Sequence, residues 1–266
     1  MTTKTKQPPT KTTGDAPAQK LFAVASGKGG VGKTWFSITL CHALTQRGKK
    51  VLLFDGDLGL ANIDVQLGLM AKRDLNDVIE GNLTLSQIIT PYEAGGFDVI
   101  AGRSGHGSLS AMALPRLQEL MEQIRGLLPK YDAIIIDLGA GIDRTVRFMA
   151  AAADVTFVIT TDEPTALTDA YAFIKLSHAA GHGDNLKVVV NQTGSEKEGE
   201  ATYGTILKAC KNFLKISPPL MGIIRQDKRV RDAIRAQTPF LVRSPNTETA
   251  QDLEKIADRV VAEILA

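Results

Sequence analysis

The chain has 266 residues, 44% of them hydrophobic and 5% aromatic, enough apolar side chain to bury one large α/β core. Its 31 basic and 29 acidic residues leave a net charge of +2, too small to point to a nucleic acid by composition. The two cysteines, Cys41 and Cys210, are far apart and lack CxxC or Cys/His spacing. That excludes a disulfide framework and a zinc or iron–sulfur site built within one chain.

Residues 1–20 are rich in Thr, Pro and Lys without an apolar h-region, so they are expected to be a disordered tail rather than a secretory signal. The folded domain is expected over 21–266. No apolar run approaches the ~20 residues of a membrane span, and the reduced cysteines suit the cytoplasm. The run Leu-Phe-Ala-Val-Ala (21–25) reads as a buried strand, and 34–46 has helical spacing that ends at Gly48. Between them lies Gly27-Lys28-Gly29-Gly30-Val31-Gly32-Lys33-Thr34. It fits the phosphate-binding pattern G-x-x-x-x-G-K-[ST]. Backbone N–H groups of such a loop cradle phosphate oxygens, Lys33 supplies charge at the outer phosphates, and the Thr34 hydroxyl is a ligand for Mg²⁺. The helix N-terminus adds partial positive charge.

Further strands are expected at 51–54, 97–101, 133–136, 155–160, 187–190 and 220–224, alternating with helices near 74–80, 111–127, 144–153, 165–180, 200–214, 229–236 and 247–265. Such alternation predicts a single-domain, doubly wound α/β fold with a mainly parallel sheet covered by helices on both faces. Nucleotide then belongs at the carboxyl ends of the strands. A Gly/Ser loop over 102–110 contains His106, read as a solvated surface histidine.

Phosphoryl chemistry needs a held metal and an oriented attacking group, and acids at strand ends supply both. The second strand runs into Asp55-Gly-Asp57, and Ile-Ile-Ile-Asp137-Leu-Gly139 reads as a Walker B element supporting magnesium. Thr34, Asp55, Asp57 and Asp137 are therefore the candidate metal-site residues.

With these residues in view, the chain resembles the MinD/ParA group of P-loop ATPases. The extra Lys28 inside the loop is that group's deviant Walker A lysine, and Asp55-Gly-Asp57 falls at its Walker A′ position. The resemblance runs from about residue 20 to the end of the sequence. Asp57-Leu-Gly-Leu-Ala-Asn-Ile-Asp64-Val, Asp137-Leu-Gly-Ala-Gly-Ile and Glu163-Pro-Thr-Ala-Leu-Thr-Asp-Ala-Tyr171 look most like the FlhG (FleN) subfamily of MinD-like regulators of flagellar number and placement.

The resemblance implies ATP and Mg²⁺ as cofactors, an ATP-dependent homodimer, slow partner-stimulated hydrolysis, and protein effectors of flagellar assembly or cell positioning. It implies that Lys28 reaches the nucleotide of a partner subunit and that Lys33 and Thr34 bind phosphate and metal. Asp57 orients the attacking water, and Asn191 contacts adenine. The implied ATP contacts span residues 27–35, with Asn191, Arg225 and Asp227 on the base side. It implies a cytoplasmic protein, polar or peripheral to the inner membrane face through its partners.

Several positions depart from the group's pattern. Trp35 stands where a small polar residue contacts the α-phosphate, leaving its backbone N–H, and Leu138 replaces a Thr or Ser. Arg225 in Ile224-Arg225-Gln226-Asp227 takes the place of a proline beside the base, and 1–20 holds no glutamine- and leucine-containing partner-stimulating segment. The stripe Leu253, Ile256, Ala257, Val260, Val261, Ile264 and Leu265 has four acids against Lys255 and Arg259 on its polar face. It reads as a closing helix packed on the domain rather than a lipid-targeting extension. The basic stretch from Arg225 to Arg243 fits either a solvated helix face or weak, non-specific DNA contact, the first being favoured. Besides a flagellar switch, the sequence leaves open a partitioning ATPase for septum, DNA or other cargo, and a non-hydrolysing ATP-binding scaffold.

Overall fold

The computed structural model describes residues 19–57, 59–102 and 112–266. The expected tail up to residue 18 and most of the 102–110 loop, His106 included, lie outside the described residues. Among the described residues eight strands form one sheet: β1 (Lys20–Ser26), β2 (Val51–Gly56), β3 (Thr90–Tyr92), β4 (Phe97–Ile100), β5 (Ala133–Ala140), β6 (Val155–Thr160), β7 (Leu186–Thr193) and β8 (Leu220–Arg225). Their order is β3-β4-β2-β5-β1-β6-β7-β8, and every pair is parallel except β3 with β4. The doubly wound, mainly parallel sheet expected from the alternation is present. The antiparallel edge strand β3 is an addition, tolerating Pro91 because an edge has an unpaired side.

The helices are α1 (Lys33–Thr45), α2 (Ile63–Leu67), α3 (Leu75–Ile79), α4 (Leu85–Ile88), α5 (Leu114–Arg125), α6 (Arg144–Ala151), α7 (Pro164–Ala179), α8 (Glu196–Ala209), α9 (Lys228–Arg235), α10 (Phe240–Arg243) and α11 (Glu248–Glu263). Side chains alternate along each strand, so one strand feeds two cores. Phe22 and Val24 of β1 join α1, α9, α10 and α11 on one face. Leu21, Ala23 and Ala25 join α5 to α8 on the other. Both faces being covered explains why β1, β2 and β6 are apolar at successive positions.

The α11 stripe is consumed by this packing: Leu253, Ile256, Ala257, Val260 and Leu265 are buried, and Arg47 clamps the helix through Glu254 and Asp258. It is the closing helix that the acidic polar face predicted. Connections leave β1 toward β2 and leave β6 toward β7 in opposite directions across the sheet. The resulting crevice, at the carboxyl ends of β1 and β6, is where such folds bind ligands.

Candidate nucleotide site

The loop between β1 and α1 opens into that crevice. Gly30 and Gly32 have φ of 81° and 91°, a left-handed conformation that glycine adopts without strain. A Cβ on Gly32 would fall against the Asn191 amide, and one on Gly27 against the backbone of Asp169 in α7. The loop is clamped from β7: Asn191 Nδ2 donates to Val31 O at 2.8 Å, and Gln192 Nε2 to Gly30 O at 3.3 Å. Ser26 Oγ donates to Lys28 O at 2.6 Å. Gly29 lies at the exposed tip.

Strand register decides what faces the loop. Asp55 of β2 pairs with Asp137 of β5, and both share the parity of residues that pack on the α1 face, such as Leu53 and Ile135. Two carboxylates therefore meet side by side under α1, buried to 1% and 2% exposure. Asp137 accepts from the Thr34 hydroxyl at 2.6 Å and the Ser37 hydroxyl at 2.9 Å. Asp55 accepts the backbone N–H groups of Asp57, Asn62 and Ile63 at 3.1–3.2 Å.

Burial, with Asp137 alongside, pushes Asp55 up to about 8. Burial also raises Asp137 to about 6, against the pull of Thr34, Lys33 and Ser37. Desolvation lowers the Lys33 ammonium, opposed by Asp137 and Asp57. Asp57 is half-buried over Gly139, whose added Cβ would come within 3.3 Å of its carboxylate, and it caps Leu60 N–H at 3.1 Å. Leu138 has the opposite parity and points into the second core, away from the loop.

Among the described residues no three His, Cys, Asp or Glu side chains form a metal cage. The donors present, the Thr34 hydroxyl on Asp137 with Asp55 and Asp57 nearby, instead suit Mg²⁺, which takes one or two protein ligands and completes its shell with phosphate oxygens and water. Cys41 and Cys210 are both buried and unpaired.

Beside the loop, where the sequence places the expected base contacts, Gly30, Gly32, Trp35, Asn191, Arg225, Asp227 and Val230 line a cavity of about 260 Å³, roomy enough for a purine. Trp35 is 7% exposed and sits edge-on to Phe240 at 5.4 Å, so its indole walls the cavity by packing. Arg225 is held by Asp252, at 2.7 and 2.8 Å, and by Glu248 at 2.6 Å. Asp227 caps α9 and pairs with Arg229. The basic stretch is thus partly neutralised, as a solvated face would be.

Lys28 is tied within its own chain. Its Nζ forms an ion pair with Glu163 and donates to Thr165 Oγ1 at 2.7 Å, both at the start of α7. Ser37, Glu163 and Thr165 were not among the expected site residues. Ser37 was findable as the hydroxyl one turn after Lys33, facing the same strand end.

A family model described as CobQ/CobB/MinD/ParA nucleotide binding domain matches residues 22–240. The chain belongs to this family. The antiactivator FleN of Pseudomonas aeruginosa is 36% identical over 242 residues, 91% of this chain and 86% of that protein. The flagellum site-determining protein YlxH of Helicobacter pylori is 33% identical over 246 residues, 92% and 83% of the two chains. Among solved structures, the septum site-determining protein MinD of Pyrococcus horikoshii, complexed with Mg-ADP, superposes with a TM-score of 0.78 at 27% identity, covering 93% of this chain and 99% of that one. This is a nucleotide-binding P-loop domain of the MinD/ParA type.

Proposed function

We propose that the protein is a Mg²⁺-ATP-dependent switch ATPase: ATP joins two copies, the dimer engages effectors, and slow, partner-stimulated hydrolysis resets it. Its task is control of flagellar number or placement, carried out in the cytoplasm and at sites set by its effectors. The reading draws its biology from the kinship with FleN and YlxH. Its chemistry rests on one observation, the convergence of Lys33, Thr34, Asp55, Asp57 and Asp137 at a single edge of the sheet.

Bound Mg²⁺ would neutralise developing phosphate charge. Thr34 and Asp137 would hold it, Asp55 would support that shell, and the backbone of residues 27–35 would cradle the phosphates. Asp57, fixed over Gly139 beside Asp137, has the exposure to orient a water. Lys28, once released from Glu163, has the reach to serve a second nucleotide across the dimer. Asn191, Asp227, Trp35 and Arg225 would enclose the base. The scaffold alternative loses support because Leu138 lies in the core and the Trp35 indole is held by packing against Phe240. A DNA-carried partitioning role loses support because Arg225 and Arg229 are spent on internal acids.

ATP turnover by wild type and Asp57→Ala tests the chemistry. Wild type should hydrolyse ATP, and the variant should lose on the order of 10²-fold while still binding it. No hydrolysis by either, with effectors supplied, rejects the ATPase. Flagellar counts in a deletion strain test the task, and unchanged number and position reject it without touching the chemistry.

A further inference from the structure

Trp35 Nε1, Gln66 Oε1 and the Tyr92 hydroxyl are shut from solvent without a hydrogen bond among the described residues. Trp35 and Tyr92 are only 7% and 6% exposed. Buried polar atoms are normally paired, so each of these calls for a partner. The three residues come from α1, α2 and the edge strand β3, and together with Ile38, Thr39 and Phe240 they line one cavity of about 20 Å³. Two further buried side-chain atoms, His42 Nδ1 and Asn76 Nδ2, are unpaired among the described residues, and neither residue borders this cavity.

Size and chemistry select the occupant. A water needs about 10–15 Å³ of such space, so the cavity takes one water and nothing larger. No charged residue lines it, which argues against an ion of either sign. The Thr39 and Thr238 hydroxyls on its wall are already spent, donating to Trp35 O at 2.7 Å and to Ala236 O at 3.0 Å. What remains is a donor, an acceptor and a hydroxyl that can be either. One water satisfies all three, the usual number for a buried one.

We propose that this cavity binds one ordered water, which accepts from Trp35 Nε1–H, donates to Gln66 Oε1 and bonds the Tyr92 hydroxyl, and that the bridge positions α2. Gln66 and Tyr92 are then positioning residues. The Trp35 indole also walls the larger cavity beside the loop, while Gln66 lies in the helix whose entry, the Asn62 and Ile63 N–H groups, is held by Asp55 at 3.1 and 3.2 Å. One end of α2 is thus tied to the strand-end acids, and Gln66 is tied through the water to the wall of the proposed base site. A base that fixes the indole steadies α2 through that water. This link rests on the proposed nucleotide reading, whereas the water itself does not.

A high-resolution crystal structure of the full chain tests the site, with one water peak expected within about 2.7–3.2 Å of all three atoms. No peak there, or direct bonds from these atoms to protein groups, would overturn the proposal. Tyr92→Phe and Gln66→Met each remove one partner at little change of volume, and each should lower the folding equilibrium constant in urea unfolding by roughly tenfold. Both changes break the same bridge, so the double variant should lose clearly less than the product of the single losses. Losses that simply multiply would mean unconnected groups and would also overturn it. The positioning role is read by hydrogen exchange at the Gln66 and Leu69 amides, which donate to Asn62 O and Asp64 O. Mg²⁺-ATP should slow their exchange about fivefold or more in wild type and leave it unchanged in both single variants, while calorimetry shows all three proteins binding ATP. Slowing that the variants retain, or none in a wild type that binds ATP, would reject the positioning role. A wild type that binds no nucleotide rejects the base reading instead, and the water peak and the double variant then decide the bridge.

Discussion

Lys28 and Glu163 form an ion pair inside one subunit, joining the phosphate loop to the first turn of α7. The proposed dimer needs that same lysine at the nucleotide of a second subunit, so the pair and the dimer compete for it. The partners are 35% and 62% exposed, and surface pairs of this kind are worth about 0–1 kcal/mol. Glu163→Gln should therefore tighten ATP-dependent dimerisation by only about two- to fivefold and leave the unfolding midpoint unchanged. Analytical ultracentrifugation in ATP reads the first and urea unfolding the second. Weaker dimerisation in Glu163→Gln would mean that the carboxylate acts in the dimer and does not restrain the monomer.

The paired carboxylates give the nucleotide-free protein a pH signature. Asp55 and Asp137 sit at about 8 and about 6, above the ordinary 3.8, chiefly through burial. The folded chain then holds protons that the unfolded chain releases. The stability these groups contribute is fully present below about pH 4 and is lost as pH rises through the window from about 4 to about 8. Asp55→Asn should flatten that slope, and so should saturating Mg²⁺-nucleotide, whose metal places positive charge beside both acids. Urea unfolding at about pH 5 and about pH 8 measures it. Stability that rises with pH would contradict the buried pairing.

Glycine geometry separates two substitutions that look alike in sequence. Gly30 and Gly32 both have positive φ, but a methyl at Gly30 meets open space whereas one at Gly32 meets the Asn191 amide. Gly30→Ala should cost about 1 kcal/mol of backbone strain. Gly32→Ala should cost more, about 1–3 kcal/mol, and should weaken nucleotide binding at least tenfold more than Gly30→Ala does. Isothermal titration with ATP and Mg²⁺ on both variants checks the order.

Trp35 is the chain's only tryptophan, so its emission reports the proposed base site without labelling. Wedged against Phe240 and lining the cavity, it should change emission on ATP addition with the same midpoint as titration calorimetry gives. Trp35→Ala should cost about 3–5 kcal/mol of stability, because the indole fills core volume. A cost below about 1 kcal/mol would show the ring to be held loosely.

Much of this molecule is legible from its sequence, and what is not follows a pattern. Glycine-loop chemistry and strand-end acids are local, so the loop and Asp55, Asp57 and Asp137 could be picked out directly. Seven strands declared themselves as short apolar runs. β3 did not, having three residues with Pro91 among them, and α2, α4 and α10 are too short to show a helical period. Relations set by strand order stayed hidden. That Asp55 lies against Asp137 depends on β2 pairing with β5, and that Leu138 is harmless depends on its parity in β5. The neutralisation of Arg225 by Asp252, and the hold of Glu163 on Lys28, join segments remote in the chain.

The central claim is that ATP joins two copies through Lys28. Asp57→Ala, which suppresses turnover, should sediment as a dimer in Mg²⁺-ATP and as a monomer in Mg²⁺-ADP, while Lys28→Ala/Asp57→Ala stays monomeric in both although it still binds ATP. Equal dimerisation of the two proteins, or no dimer from Asp57→Ala at any ATP concentration, would contradict the account.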